Sequence, residues 1–123
     1  VFHTSWEQLP LGPAWQAFEE QERRFGVHAG EIETSMMLAL SPEQVRMEMA
    51  QDFPSSAIER VQHHPLLGQG HSRLGWHVQD LHPSGAVGHA RRADAARGAA
   101  LLDAVSDQLA VLLTQLIEFQ ALD

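Results

Sequence analysis

Residues 28–46 run His28-Ala29-Gly30-Glu31-Ile32-Glu33-Thr34-Ser35-Met36-Met37-Leu38-Ala39-Leu40-Ser41-Pro42-Glu43-Gln44-Val45-Arg46. Ile32, Met36, Ala39 and Leu40 recur at i, i+4, i+7 and i+8, one face of a helix of 3.6 residues per turn. Gly26 to Gly30 reads as a loop, so the helix begins after Gly30 and stops at Ser41-Pro42. Ser41, Pro42 and Gln44 match an S-x-x-Q capping box, which predicts a second helical turn with Val45 and Met49 on one face. His28, Glu31 and Glu33 lie within six residues at this helix start. Glu31 and Glu33 are two apart, so on a helix they point in different directions and cannot both serve one site. The helix N-terminus favours a carboxylate, and Gly30 permits close approach of a backbone or substrate. A His and a carboxylate converging there form a candidate proton-transfer or metal-ligand pair. On spacing alone a plainer reading stays open, in which both glutamates decorate the first turn and His28 caps or packs.

Downstream, Pro54, Pro65, Gly68, Gly70, Gly75, Pro83, Gly85 and Gly88 break any long element. Leu74 to Leu81 alternates, with Leu74, Trp76 and Val78 against His77 and Gln79, and predicts a short strand. Residues 90–122 form one long helix. Leu102, Val105, Leu109, Leu112, Leu116 and Phe119 build its apolar stripe, and Leu101, Leu113 and Ile117 widen it. Such a stripe needs a sheet or other helices over it. The rest of the chain offers at most one or two short strands, so the partner of this helix is expected elsewhere.

Upstream, Pro10, Gly12 and Pro13 mark an irregular lead-in, and Ala14 to Arg24 is weakly helical. Glu19, Glu20 and Glu22 read as a solvated face. His63, His64, His71, His77, His82 and His89 match no zinc signature and read as solvated, although His77 and His82 can line a mouth. Trp6, Trp15 and Trp76 are stacking candidates or plain core, Trp76 being the best placed for a substrate. Met36, Met37, Met47 and Met49 read as packing. No Walker loop or G-x-S-x-G is present, and Ser35 sits within a helix rather than on a strained elbow.

The whole chain has 123 residues, 44% hydrophobic and 20% charged, the composition of one globular domain. It has no cysteine, which excludes disulfides, thiolate zinc sites and thiol catalysis. Sixteen acids face eight bases, all Arg, for a formal charge of −8. That balance argues against nucleic acid and anionic membranes as partners. Ser41, Gln108 and Gln115 interrupt the longest apolar runs, so no membrane span is expected. The opening Val1-Phe2-His3 carries no initiator Met and reads as cut from something longer.

The 28–46 segment resembles the HAG-x-x-ETS-x-x-L-x-L-x-P-x-x-V pattern of the creatininase (creatinine amidohydrolase) family, carried by His28, Gly30, Glu33, Thr34, Ser35, Leu38, Leu40, Pro42 and Val45. Pro83-Ser84-Gly85-Ala86-Val87-Gly88, then Ala93 and Arg97-Gly98-Ala99-Ala100-Leu101-Leu102, are similar to the family's S-G-x-x-G-(D-P)…A-T-x-x-x-G-x-x-L stretch. Here His89-Ala90 replaces Asp-Pro and Asp94 replaces Thr. The resemblance covers about residues 24–120. It implies an α/β fold, with residues 1–123 as the C-terminal part of a three-layer α/β/α domain. This chain would be mostly helical with one or two short strands, and the N-terminal half would lie outside it.

What the resemblance implies for function is a metal-dependent amidohydrolase. It would cleave C–N amide-type bonds in a small molecule or peptide by metal-activated water. His28 would be the proton shuttle, Glu33 would sit at the metal, and Trp76 and His77 would contact substrate. The divalent metal, zinc or manganese, would be held mostly by a Glu-x-His pair, an Asp and an Asn-Gly-His motif outside this chain. The expected setting is a cytoplasmic homo- or hetero-oligomer with the N-terminal half, or a partner chain, of the same enzyme. Val27 stands where creatininase has an acid, which points away from creatinine as substrate. Val27 and His89-Ala90 also favour the alternative of a non-catalytic subunit or degenerate homologue serving oligomerisation or binding. A helical adaptor built on the 101–119 stripe would need no motif at all.

Overall fold

Gly98 has no side chain and Ser35 a small one, and there the two longest helices cross. The computed structural model describes residues 1–68, 72 and 74–119. Six α-helices are described: α1 (Gly12–Gln16), α2 (Glu20–Phe25), α3 (Glu31–Leu40), α4 (Ser56–His63), α5 (Val78–Leu81) and α6 (Ala95–Glu118). Single 3-10 turns cover Pro42–Gln44, Met47–Met49 and Ala90–Arg92, among others. α3 lies where the apolar period places it; α6 covers Ala95–Glu118 of the 90–122 expected, with Ala90–Arg92 a separate 3-10 turn and residues 120–122 outside the described residues. A Cβ at Gly98 would overlap the Ser35 carbonyl, so the backbones of α3 and α6 touch.

Ser35 locks that crossing. Its fully buried hydroxyl donates to the Glu31 carbonyl at 2.6 Å and accepts the Asp94 N–H at 2.9 Å. Asp94 in turn caps α6, its Oδ1 accepting the Arg97 N–H at 2.8 Å. Ser35 thus fixes the start of the last helix. Leu101, one turn beyond Gly98, is fully buried with Leu11, Phe18 and Ile32. Trp6, Leu9, Trp15, Met36, Ala104 and Val105 pack around this core.

Several expectations are corrected. The weak helical pattern of 14–24 resolves into α1 and α2, with residues 17–19 between them. No strand occurs among the described residues. The alternating segment from Leu74 instead ends in α5, where Asp80 Oδ2 accepts the His77 N–H at 2.8 Å. Alternation makes a strand only where a neighbour offers a hydrogen-bonded ladder, and this segment has none. The Ser41 capping box does not form: the hydroxyl donates to the Glu43 carboxylate and caps nothing. Single 3-10 turns follow in place of the second helical stretch, and Val45 and Met49 still line one cleft.

α6 also departs from expectation. By length and hydropathy it is long and apolar enough to cross a membrane. Gln108 and Gln115 do not prevent this, because Ala, Val and Leu dominate the residues around them. Ile117 is 85% exposed, and Leu109, Val111, Leu113 and Phe119 are exposed with it.

Candidate functional site

The 28–35 segment and the 83–89 segment lie far apart in sequence and meet through the backbone. His28 and Val87 form an isolated antiparallel bridge, with Val87 N donating to the His28 carbonyl at 2.7 Å. Phe53 and Gly88 form a second, at 2.9 and 2.8 Å.

Below these bridges sits the Glu22 side chain, only 1% exposed. Its Oε1 accepts the Glu31 N–H at 2.6 Å and its Oε2 the His89 N–H at 2.9 Å. The solvated face expected for Glu22 is therefore wrong. The physical reason lies at the start of α3. Gly30 stands at the N-cap with no side chain to accept a hydrogen bond, so a carboxylate from α2 does so instead. The same carboxylate satisfies a second, part-buried N–H at His89. Gly26, Gly30 and Gly88 surround it; a Cβ at Gly88, φ +132°, would lie 2.7 Å from Glu22 Oε1. These three glycines are the sequence signal that could have exposed Glu22, since each leaves room for one bulky neighbour.

Directly above, Ala29 adopts φ +53°, a left-handed conformation uncommon for a residue with a Cβ. The kink aims the Ala29 N–H at Glu33 Oε2, 2.6 Å away. The same oxygen lies 3.8 Å from His28 Nδ1. Both side chains are about half exposed. Glu31 takes the opposite direction, as its spacing from Glu33 requires. It is buried and ion-paired with Arg97, whose guanidinium lies 5.1 Å from the centre of the Phe18 ring and also donates to the Arg92 carbonyl at 2.5 Å.

Glu33 lines two clefts. One, of about 720 Å³, includes Thr34, Met37, Val45, Met47, Met49 and Phe53. The other, of about 300 Å³, includes Trp6, Trp15, Arg23, Arg24 and Val27. Trp76 lines a third cleft of about 340 Å³ with Phe25, Val27 and Arg60. The structure therefore brings His28 and Glu33 together and sets Trp76 on the far side of Val27. His77 is exposed, and its N–H is taken up at the start of α5.

The loop histidines are not uniformly solvated. His89 is 15% exposed at its side chain, and its Nδ1 lies 2.6 Å from Asp52 Oδ1. This pairing needs the Phe53–Gly88 bridge, which no spacing rule reveals. His82 packs edge-on against Phe53, with ring centres 5.5 Å apart. His63 and His64 are exposed as expected, and His71 lies outside the described residues.

Among the described residues no three His, Asp or Glu side chains group as a metal site. A catalytic zinc takes about three protein ligands and one open position. Imidazole nitrogen and carboxylate oxygen are the right donor types for zinc or manganese. His28 and Glu33 thus fit one edge of such a site, with further donors required from elsewhere.

A sequence model of the creatininase family, described as creatinine amidohydrolase, matches residues 2–113. The chain belongs to the creatininase family. The match begins well ahead of His28 and so takes in Glu22, which the motif resemblance left out. Over 101 residues the chain is 33% identical to the 3-dehydro-scyllo-inosose hydrolase of Thermotoga maritima, covering 75% of this chain and 32% of that protein. The crystal structure of a putative creatinine amidohydrolase from Bacteroides fragilis superposes with a TM-score of 0.70 at 24% identity, over 98% of this chain and 44% of that one. The creatininase-like fold is therefore shared. The chain spans about a third of the curated relative and under half of the solved structure.

Proposed function

We propose that this chain carries the C-terminal part of a cytoplasmic creatininase-like amidohydrolase, which cleaves C–N amide-type bonds in a small molecule or peptide. The observation that carries the reading is the convergence of His28 Nδ1 and Glu33 Oε2, 3.8 Å apart, on the strained Ala29 kink of the family segment. Glu33 would hold a divalent metal, zinc or manganese, with its carboxylate oriented by the Ala29 N–H. When bound, such a cation lowers the pKa of a coordinated water toward about 7. Imidazole exchanges protons near neutral pH. His28 therefore takes a proton from the attacking water and returns it to the leaving nitrogen as the C–N bond breaks. Trp76 and His77 would meet the distal part of a substrate that reaches across Val27.

The exposed face of α6 supports an N-terminal half, or a partner chain of the same enzyme, as its cover. Apolar burial is worth roughly 25 cal/mol per Å², so covering this face adds substantially to stability. The reading takes α6 as a packing helix of the three-layer fold within an oligomer, and neither as a membrane span nor as a nucleic-acid contact. A second reading has a specific support in the Thermotoga maritima relative, a 3-dehydro-scyllo-inosose hydrolase: the substrate would be an inosose-type carbonyl compound in place of an amide.

The test is turnover with an N-terminal half present, in zinc or manganese, on cyclic amides, acylated amino acids and 3-dehydro-scyllo-inosose. His28→Ala and Glu33→Gln should each lower kcat by about 10²–10⁴-fold. Glu33→Gln should also lower bound metal in elemental analysis. Unchanged turnover in both variants removes the assigned roles; absence of turnover with the N-terminal half present leaves the chain a non-catalytic homologue.

A further inference from the structure

Ala29 and Gly30 form the kink that brings His28 and Glu33 together, and the chain on both sides of it is tied to residues 87–89. On one side His28 pairs with Val87, its N–H donating at 3.4 Å and its carbonyl accepting at 2.7 Å. On the other side the Glu31 N–H is held by Glu22, whose second oxygen accepts the His89 N–H at 2.9 Å. Between the two ties the fit is close: a Cβ on Gly30 would stand 3.0 Å from both Gly88 Cα and the Val87 carbonyl oxygen. Residues 87–89 are thus the template on which the kink is moulded. Whatever fixes that strip fixes the kink.

A side chain fixes the strip at its far end. His89 is 15% exposed at its side chain, and its Nδ1 lies 2.6 Å from Asp52 Oδ1. Its Nε2 lies 3.4 Å from Gln21 Nε2. One tautomer serves both contacts: Nδ1–H donates to the carboxylate, and Nε2 accepts from the amide. A hydrogen bond to a charged group is stronger than a neutral one. The Asp52 side chain is more than half exposed, so the contact positions its two residues and adds little to overall stability. Alongside it, Phe53 and Gly88 exchange backbone bonds at 2.9 and 2.8 Å, and the Arg91 N–H donates to the Gln51 carbonyl at 3.3 Å. The pair therefore clamps residues 51–53 against the strip. Gln51 and Phe53 also wall the cleft of about 720 Å³ that Glu33 shares. We propose that Asp52 and His89 are a positioning pair for His28 and Glu33, acting through Val87 and Glu22. They hold the 87–89 strip so that the kink keeps Glu33 Oε2 3.8 Å from His28 Nδ1. The inference rests on the reading of His28 and Glu33 as site residues, and it adds two residues to that reading.

The test begins without turnover, as amide exchange followed by NMR on the 123-residue chain. Asp52→Ala and His89→Ala should each speed exchange at Ala29 and Val87 about fivefold, the loss of one such bond. Exchange at Leu101, in the core, should stay within about twofold. The double variant should be no faster than either single one, since both remove the same contact. Asp52→Asn keeps an acceptor and His89→Asn keeps a donor, so each should restore most of the protection. With an N-terminal half present, His89→Ala should lower kcat about tenfold and leave KM within about twofold on cyclic amides, acylated amino acids or 3-dehydro-scyllo-inosose. Unchanged exchange at Ala29 in both Ala variants overturns the proposal, as does equal acceleration at Leu101, which marks general loosening. An additive double variant, or no recovery in the Asn variants, overturns it by showing that the two side chains do not act as a pair. So does full kcat in a His89→Ala enzyme whose Ala29 amide has loosened, which makes the pair a structural clasp only. The expected exchange pattern beside turnover that survives His28→Ala and Glu33→Gln supports the positioning of the kink and removes the catalytic reading.

Discussion

α6 has two halves with one sequence pattern and two fates. Over residues 95–105 it brings Gly98 against the α3 backbone and buries Leu101 completely. Over residues 109–119 the same spacing of large apolar side chains leaves Leu109, Leu113, Ile117 and Phe119 exposed. The period of 3.6 marks a face that must be covered, and is silent about what covers it. The first half finds its cover within this chain because Ser35, Asp94 and Gly98 fix the helix start against α3. The second half extends past the end of α3, and a creatininase-like fold of more than twice this length has more chain to offer there.

That contrast can be broken or sharpened by substitution. Leu101→Ala removes the side chain at the centre of the core and should cost about 3–5 kcal/mol in chemical denaturation. Gly98→Ala is a cleaner test. Helix propensity alone would make it stabilising by about 1 kcal/mol. The close crossing with Ser35 should reverse the sign and give a net loss of about 2 kcal/mol. A gain in stability would show that α3 and α6 do not touch here. Glu22→Ala orphans the Glu31 and His89 amides and should cost about 2 kcal/mol by the same measurement. It should also loosen the 28–33 turn, seen as faster amide exchange at Ala29. Ile117→Ala comes last: in this chain alone it should change stability by less than about 0.5 kcal/mol. With an N-terminal half bound, the same substitution should weaken association measurably.

The site divides along similar lines. That Glu31 and Glu33 must part company was legible, since two residues span about 200° around a helix. Which of them would be buried was not legible from spacing, because Arg97 and Phe18 decide it from outside the segment. Glu22 was misread for the same reason. Glu19-Glu20-Gln21-Glu22 looks solvated in a local window, while its partners stand nine and 67 residues away. The alternation at Leu74–Val78 failed in the opposite sense, a local pattern whose required neighbour never arrives. Trp76 and His77 illustrate the limit for side chains on loops, where sequence fixes identity and not direction.

From the sequence alone came the helices α3 and α6, the family, and the pair His28 and Glu33, because each rests on residues close in the chain. Tertiary structure alone decided that a buried carboxylate holds the two motif segments together and that His89 pairs with Asp52. Those facts depend on hydrogen-bonding needs met across the fold. An unmet N–H leaves no mark on the residues next to it in the sequence.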